Sequence, residues 1–283
     1  MSEEQVTKHQ LSTATKLADL GPHFPIPPRF RDGKISENTS FSFIPWDMEV
    51  EEKLADLMES SKTVGQFVSS MMGLLLDQFC GMDFQSKSKE EKVLLINQLE
   101  FSNVMYMYIY LRVDELGKEL RLDVTCPRCK KLNKDYVADL ETLDVEIKSP
   151  NIHPRTITYQ LVRPITLEDG QIISAIEFDV NKWEYMERVT QEIAKNAAKM
   201  KSLMFENAIV HMKVGDQPVK GFHEVKNTLK KLKKVDIEKA MEMVVRNNAG
   251  PDMKIGGNCV HCQGEWFRAL DWRYDSFFDS SSL

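Results

Sequence analysis

Two pairs of cysteines carry the strongest chemical signal in this chain. Cys126 and Cys129 sit in LDVTCPRCKKLNKDYV (122–137), and Cys259 and Cys262 in IGGNCVHCQGEWFRA (255–269). A C-x-x-C turn at the tip of a β-hairpin aims two sulfurs to one side, and two such turns complete a tetrahedral set of four thiolates. That donor set suits Zn²⁺; an iron–sulfur cluster is the alternative that also takes four thiolates. Four protein sulfurs leave no position for water, so a zinc centre of this kind is structural and does no Lewis-acid chemistry. In a reducing compartment paired cysteines point to metal rather than to a disulfide framework. The fifth cysteine, Cys80, lies in the apolar LLLDQFCGM and reads as a structural thiol outside the ligand set. His261, between Cys259 and Cys262, reads as an exposed turn residue rather than a substitute ligand.

Other chemistry is thin. The chain has no phosphate-binding glycine loop, no H-E-x-x-H and no G-x-S-x-G. Its six histidines are scattered, and no nucleophile has an identifiable base. The carboxylates of EVEE and SKEEK fall on charged helix faces. The sequence does not read as an enzyme, and a thiol oxidoreductase is disfavoured because neither C-x-x-C opens a convincing helix.

The elements that must position the cysteines run in a similar order twice. SFSFIPW (40–46) predicts a strand, followed by the helical EVEEKLADLMES. TITYQLVRPI (156–165) predicts another, followed by TLEDGQIISAIE, read as a helix capped by Thr166 and Asp169. VGQFVSSMMGLLLDQF and SKEEKVLLINQL answer to VTQEIAKNAAKMKSLMFENAIV and HEVKNTLKKL. Each half then ends in a helix, a glycine-containing turn, a strand, a C-x-x-C and a second short strand, DYVADL or EWFRAL. The predicted fold class is α+β and helix-rich, with two pseudo-equivalent strand–helix–knuckle lobes joined at a four-cysteine, zinc-ribbon-like site. The lobes span 41–145 and 146–278, preceded by an arm over 1–40 and followed by a frayed tail over 279–283.

A length of 283 residues, 42% hydrophobic and 28% charged, is ordinary for a soluble globular protein. The net charge of −6 argues against a generally basic nucleic-acid binder. Residues 1–20 lack the apolar core of a secretory signal. The apolar stretch VSSMMGLLL is too short to span a membrane, so no membrane partner is expected. In the arm, Pro22, Pro25, Pro27 and Pro28 hold GPHFPIPPRF extended. Phe24, Ile26 and Phe30 would then be apolar anchors docking on a partner, so that the arm serves assembly rather than folding.

Two further stretches suggest binding. KNTLKKLKKVDIEK (226–239) predicts an amphipathic helix with a basic stripe; a solvated face is the plain reading, contact with nucleic acid or an acidic partner the sharper one. MYMYIYL (105–111) is apolar all round as a helix and belongs in a core or an interface.

The run GKELRLDVTCPRC (117–129), LVRPIT (161–166) and the acidic-aromatic end WRYDSFF (272–278) together resemble the baseplate hub proteins and hub-assembly chaperones of T-even-type contractile-tailed bacteriophages. The resemblance covers roughly residues 40–278. It implies a non-catalytic structural or assembly protein, pinned by metal, partnered with other tail baseplate or hub proteins, and located in the virion tail or in the host cytoplasm during assembly. The chain departs from that pattern in its proline-rich arm and in its second knuckle, where Val260 replaces the proline. The competing reading is a zinc-ribbon adaptor binding nucleic acid through 226–239.

Overall fold

The computed structural model describes residues 12–28, 36–148, 156–167, 170–179, 182–215, 217–218, 231–247, 249–273 and 277–278. Strand β1 (Ser12–Lys16) runs into one helical turn at Leu17–Leu20, and β2 (Phe41–Phe43) precedes α1 (Met48–Ser60) and α2 (Val64–Leu75). The chain passes from α2 directly into β3 (Leu76–Phe79) and β4 (Met82–Asp83), then through α3 (Lys89–Gln98) and α4 (Phe101–Leu116). The hairpin β5 (Glu119–Thr125) and β6 (Leu132–Asp139) follows, then β7 (Asp144–Lys148). The remainder comprises β8 (Thr156–Thr166), β9 (Ile172–Asp179), a 3-10 turn at Trp183–Arg188, a helical turn at Gln191–Ala194, α5 (Ala197–Ala208), β10 (Ile209–Val214) and β11 (Gln217–Pro218). It ends with α6 (Lys234–Asn247), β12 (Gly250–Pro251) and the hairpin β13 (Lys254–Asn258) and β14 (Glu265–Ala269). The fold is mixed α/β, with 40% helix and 33% strand, so it is less dominated by helix than the sequence reading implied.

Local signals explain most helix starts. Asp47 accepts from the Val50 amide, Thr63 from that of Gln66, and Ser88 forms a reciprocal capping box with Glu91. Helix α4 carries MYMYIYL and is the buried axis of the main core: Met105 through Ile109 are essentially inaccessible to water. Its polar tips reach backbone carbonyls. The Tyr106 hydroxyl donates to Gly21 O (2.6 Å) and that of Tyr108 to Trp272 O (3.0 Å). The buried Arg112 guanidinium donates to the carbonyls of Phe277, Gly117 and Glu119. Each bond satisfies a group that would be costly to bury alone.

The arm is corrected by this packing. Strand β1 pairs antiparallel with β7, Ser12 opposite Lys148 and Lys16 opposite Asp144, and β12 pairs with β7 on the other side. The Phe24 amide donates to Thr39 O (3.0 Å), and its ring lies 5.2 Å from Phe41 and 5.4 Å from Phe79. Phe24 and Ile26 are buried within the chain's own structure and do not stand ready as partner anchors; Phe30 lies outside the described residues. The segment bends at Pro22 and at Pro25–Ile26 and bridges through His23 to Ser40, and the surface it lies on is its own.

The predicted helix TLEDGQIISAIE is a β-hairpin instead. Gly170 takes a left-handed φ of +84°, and the Leu167 amide donates to Gln171 O (2.8 Å), turning β8 back as β9. The left-handed Gly170 and the β-branched IISAI outweigh the Thr cap; Asp169 itself lies outside the described residues. Likewise LDQF leaves α2 as β3, paired with β2.

Packing does not follow the division at residue 145. The main core joins Leu17–Val145 to Trp183, Tyr185, Met186 and the segment from Ile255 to Phe278. Gly65 on α2 permits this, since a Cβ there would meet the Met186 carbonyl carbon at 2.1 Å. A smaller core lies between the sheet β11-β10-β9-β8 and helices α5 and α6. There the buried Asp236 accepts from the Tyr159 hydroxyl (3.0 Å) and the Val162 amide (2.7 Å), capping the edge of β8.

Because Phe24 fills the main core, Phe24→Ala is expected to lower unfolding stability by about 3–4 kcal/mol. Urea denaturation at unchanged slope measures this. An unchanged midpoint would restore the arm to the role of a detachable anchor.

Candidate metal centre

The two hairpins that carry the cysteines are built to one pattern. In the first, Thr125 pairs with Leu132 across the turn; in the second, Asn258 pairs with Glu265. Relative to the leading cysteine these are the same positions. The Cys126 amide donates to Lys131 O (2.9 Å) and the Lys130 amide returns to Cys126 O (2.9 Å). In the second knuckle Cys259 and Gln263 repeat both bonds, to Gly264 O (3.0 Å) and Cys259 O (2.8 Å). Lys130 and Gln263 hold the equivalent left-handed position, at φ +62° and +56°. For residues with a Cβ that conformation costs about 1 kcal/mol each, which the closed turn must offset.

These turns bring all four sulfurs to one point. Every pair lies within 4.8 Å; Cys126 Sγ is 3.8 Å from Cys262 Sγ, and Cys129 Sγ is 3.6 Å from Cys259 Sγ. A disulfide would need about 2.05 Å. A tetrahedral ion with sulfurs at about 2.3 Å places them about 3.8 Å apart, so these two separations match the edges of such a tetrahedron. Cys126 and Cys259 are fully buried, Cys129 and Cys262 partly.

Backbone amides already favour thiolates here. The amides of Cys129 (3.5 Å) and Arg128 point at Cys126 Sγ and hold that thiol below its ordinary range. Burial alone would push Cys259 up, but the amides of His261 and Cys262, with the neighbouring sulfurs, bring it down to about 6. Cys129 receives the Lys131 amide, yet desolvation and the other three sulfurs push it up to about 11. Four thiols this close cannot all ionise without a cation among them, because like charges oppose one another.

A second set of contacts locks one hairpin to the other. The Asn133 side chain is buried, donates to Val124 O (2.9 Å) and accepts from the Val260 amide (2.9 Å). The first knuckle has Pro127 at the matching position, which has no amide hydrogen; Val260 keeps the donor that Asn133 needs. The Tyr136 hydroxyl donates to Gly256 O (2.8 Å), and Arg268 donates to Asp123 O (3.3 Å). The rings of Tyr136 and Trp266 meet edge-on at 4.7 Å. His261 is exposed and bonds Leu132 O through Nε2 (3.1 Å), so it bridges the hairpins without joining the sulfurs.

The structure therefore gathers all four predicted cysteines and leaves Cys80 apart, in the β3–β4 turn, where burial pushes its thiol up to about 12. Sequence reasoning missed Asn133, Tyr136 and Arg268. The signal for Asn133 was a polar residue at an inward position of β6, legible only once the strand register is known. Of the basic run, residues 226–230 lie outside the described residues; Lys233 and Lys234 are exposed at the start of α6. Among the described residues no helix is long and apolar enough to cross a membrane. Compared with family models, with curated proteins and with solved structures, the chain matches none.

Asn133→Ala strips partners from Val124 O and the Val260 amide. It is expected to cost about 1–3 kcal/mol and to weaken metal binding about 10–100-fold. Val260→Pro should act in the same direction. Competition against a chromophoric chelator measures both, and unchanged affinity would remove the clamp from this account.

Proposed function

We propose that this chain is a non-catalytic structural or assembly protein whose four cysteines hold one Zn²⁺. The carrying observation is the sulfur geometry: four thiols converge at single-ion spacing, with no fifth donor grouped with them among the described residues. A closed thiolate set is the hallmark of zinc held for folding. An iron–sulfur cluster interposes irons and sulfides between its ligands, and sulfurs on different irons would stand further apart than the 4.8 Å within which all four lie. The matched register of the two knuckles supports reading the halves as copies of one plan, although their packing is not symmetric.

In this reading the metal supplies stability that the hairpins lack. An isolated two-stranded hairpin is marginal in water. Structural zinc contributes apparent binding energies of about 10–16 kcal/mol, comparable with the whole stability of a domain. Cys126, Cys129, Cys259 and Cys262 hold the ion, and the Asn133 clamp orients the knuckles.

The resemblance of GKELRLDVTCPRC, LVRPIT and WRYDSFF to baseplate hub proteins and hub-assembly chaperones gives this structural role its setting, a contractile phage tail. A protein of that setting works through surfaces. The nucleic-acid adaptor reading has less support, since the described part of the basic run opens a helix whose apolar side packs on β8 and its sheet.

Elemental analysis is expected to find one zinc per chain. Cys126→Ser should lose it and destabilise the fold, while Cys80→Ser should retain it. Equal loss from both variants would sink the assigned ligand set. For the setting, tagged full-length chain should recover tail hub proteins from cells producing the particle; recovery of none would discard the baseplate reading while leaving the zinc centre untouched.

A further inference from the structure

Away from the cysteines, α2 is flanked by α1 on one side and α3 on the other, and between those two helices runs a groove of about 370 Å³. Its floor is Ser70, Gly73 and Leu74 of α2, and its walls carry Leu57 and Val93. The rim carries Lys53 and Asp56 on one side and Lys89 and Lys92 on the other.

Gly73 is the informative residue. It lies in a helix interior, where glycine costs about 1 kcal/mol relative to alanine. Nothing inside the chain demands it: an added Cβ would meet only the Lys92 Cβ, at an ordinary 3.4 Å. Gly65, on the same helix, is different, since its Cβ would collide with the Met186 backbone at 2.1 Å. One helical glycine is thus required by internal packing and the other is not. What the missing side chain at Gly73 achieves is depth in the groove.

Charge selects the occupant. The rim sets three ammonium groups against one carboxylate, on a chain whose net charge is −6. Lys53 is steadied by Glu49 (2.6 Å), and Lys92 donates to Gln85 Oε1 (2.8 Å), so two of the three ammonium groups are positioned by neighbours. The floor is mainly apolar and the charges stand only along the edges. A small anion would find a single hydroxyl donor, Ser70, at the bottom, whereas an amphipathic helix would bury its apolar stripe there and set acidic flanks against the lysines.

We propose that the α1–α3 groove is a docking surface for an acidic amphipathic helix of a partner protein, seated on Gly73 and flanked by Lys53, Lys89 and Lys92. This goes beyond the structural role above and depends on neither the metal nor the tail setting.

The probe is a labelled synthetic helix with leucines at i, i+3, i+4 and i+7 flanked by glutamates, titrated by fluorescence anisotropy into the full-length, metal-loaded protein. Saturable binding is expected, weakening as salt screens the rim. Gly73→Leu, which fills the floor, should reduce affinity about ten-fold or more. The exposed-rim double variant Lys89→Glu/Lys92→Glu should do the same, and it decides the matter if Gly73→Leu fails to retain its thermal midpoint. The same peptide with lysines in place of glutamates should not bind. Absence of saturable binding, equal binding by the folded variants, equal binding of the basic peptide, or self-association of the chain abolished by Gly73→Leu would each overturn the proposal.

Discussion

Two hairpins far apart in the chain must present four sulfurs within 4.8 Å of one another, and the contacts between those hairpins are arranged around that requirement. Bringing residue 259 to residue 126 closes a long loop, but the entropic cost of closure grows only logarithmically with loop length. The larger difficulty is local: each knuckle holds a non-glycine residue in a left-handed conformation and buries sulfurs that repel once ionised. Asn133, Tyr136, Arg268 and His261 each bond a backbone group of the opposite hairpin, so the two sheets are held as one unit around the sulfurs. An ion at the centre would turn mutual repulsion into attraction, and the spacing of the four sulfurs is consistent with such a site.

The knuckle unit is in turn tied to a core organised by α4. A helix buried on every side cannot expose its tyrosine hydroxyls or its arginine to water, so each must find a carbonyl. Those carbonyls belong to Gly21 near one end of the chain and to Trp272 and Phe277 near the other. Phe277 also stacks on Tyr108 at 5.3 Å, and Phe278 meets Trp46 at 5.5 Å. Polar satisfaction of one helix thereby recruits both chain ends: loss of the first end would strip Tyr106, and loss of the second would strip Tyr108 and Arg112.

The smaller core shows a different economy. Its sheet ends in β8, an eleven-residue edge strand that would present unpaired backbone groups to any neighbouring chain. Asp236 takes the Val162 amide and Pro164 offers none, so the edge is blunted at its centre. A blunted edge of this kind disfavours strand-to-strand pairing with a neighbouring chain.

Much of this was legible from local sequence. Capping residues Asp47, Thr63 and Ser88 mark helix starts because their side chains bond amides within the same turn. Both C-x-x-C knuckles, the strands around them and the apolar MYMYIYL turns of α4 follow from spacing and periodicity that neighbours in sequence enforce. The four cysteines were identifiable as one set because their chemistry permits few other uses. What the tertiary structure alone decided involves partners remote in sequence. The proline-rich arm looked detachable, since nothing in GPHFPIPPRF reveals that Phe41 and Phe79 will receive Phe24. TLEDGQIISAIE offered a helix cap in Thr166 and Asp169, yet pairing with β8 and β10 chose the strand. Asn133 became a clamp only when strand register placed it opposite the amide of Val260. Local conformation is set by bonds within a few residues, whereas burial, register and clefts are set by which distant surfaces meet.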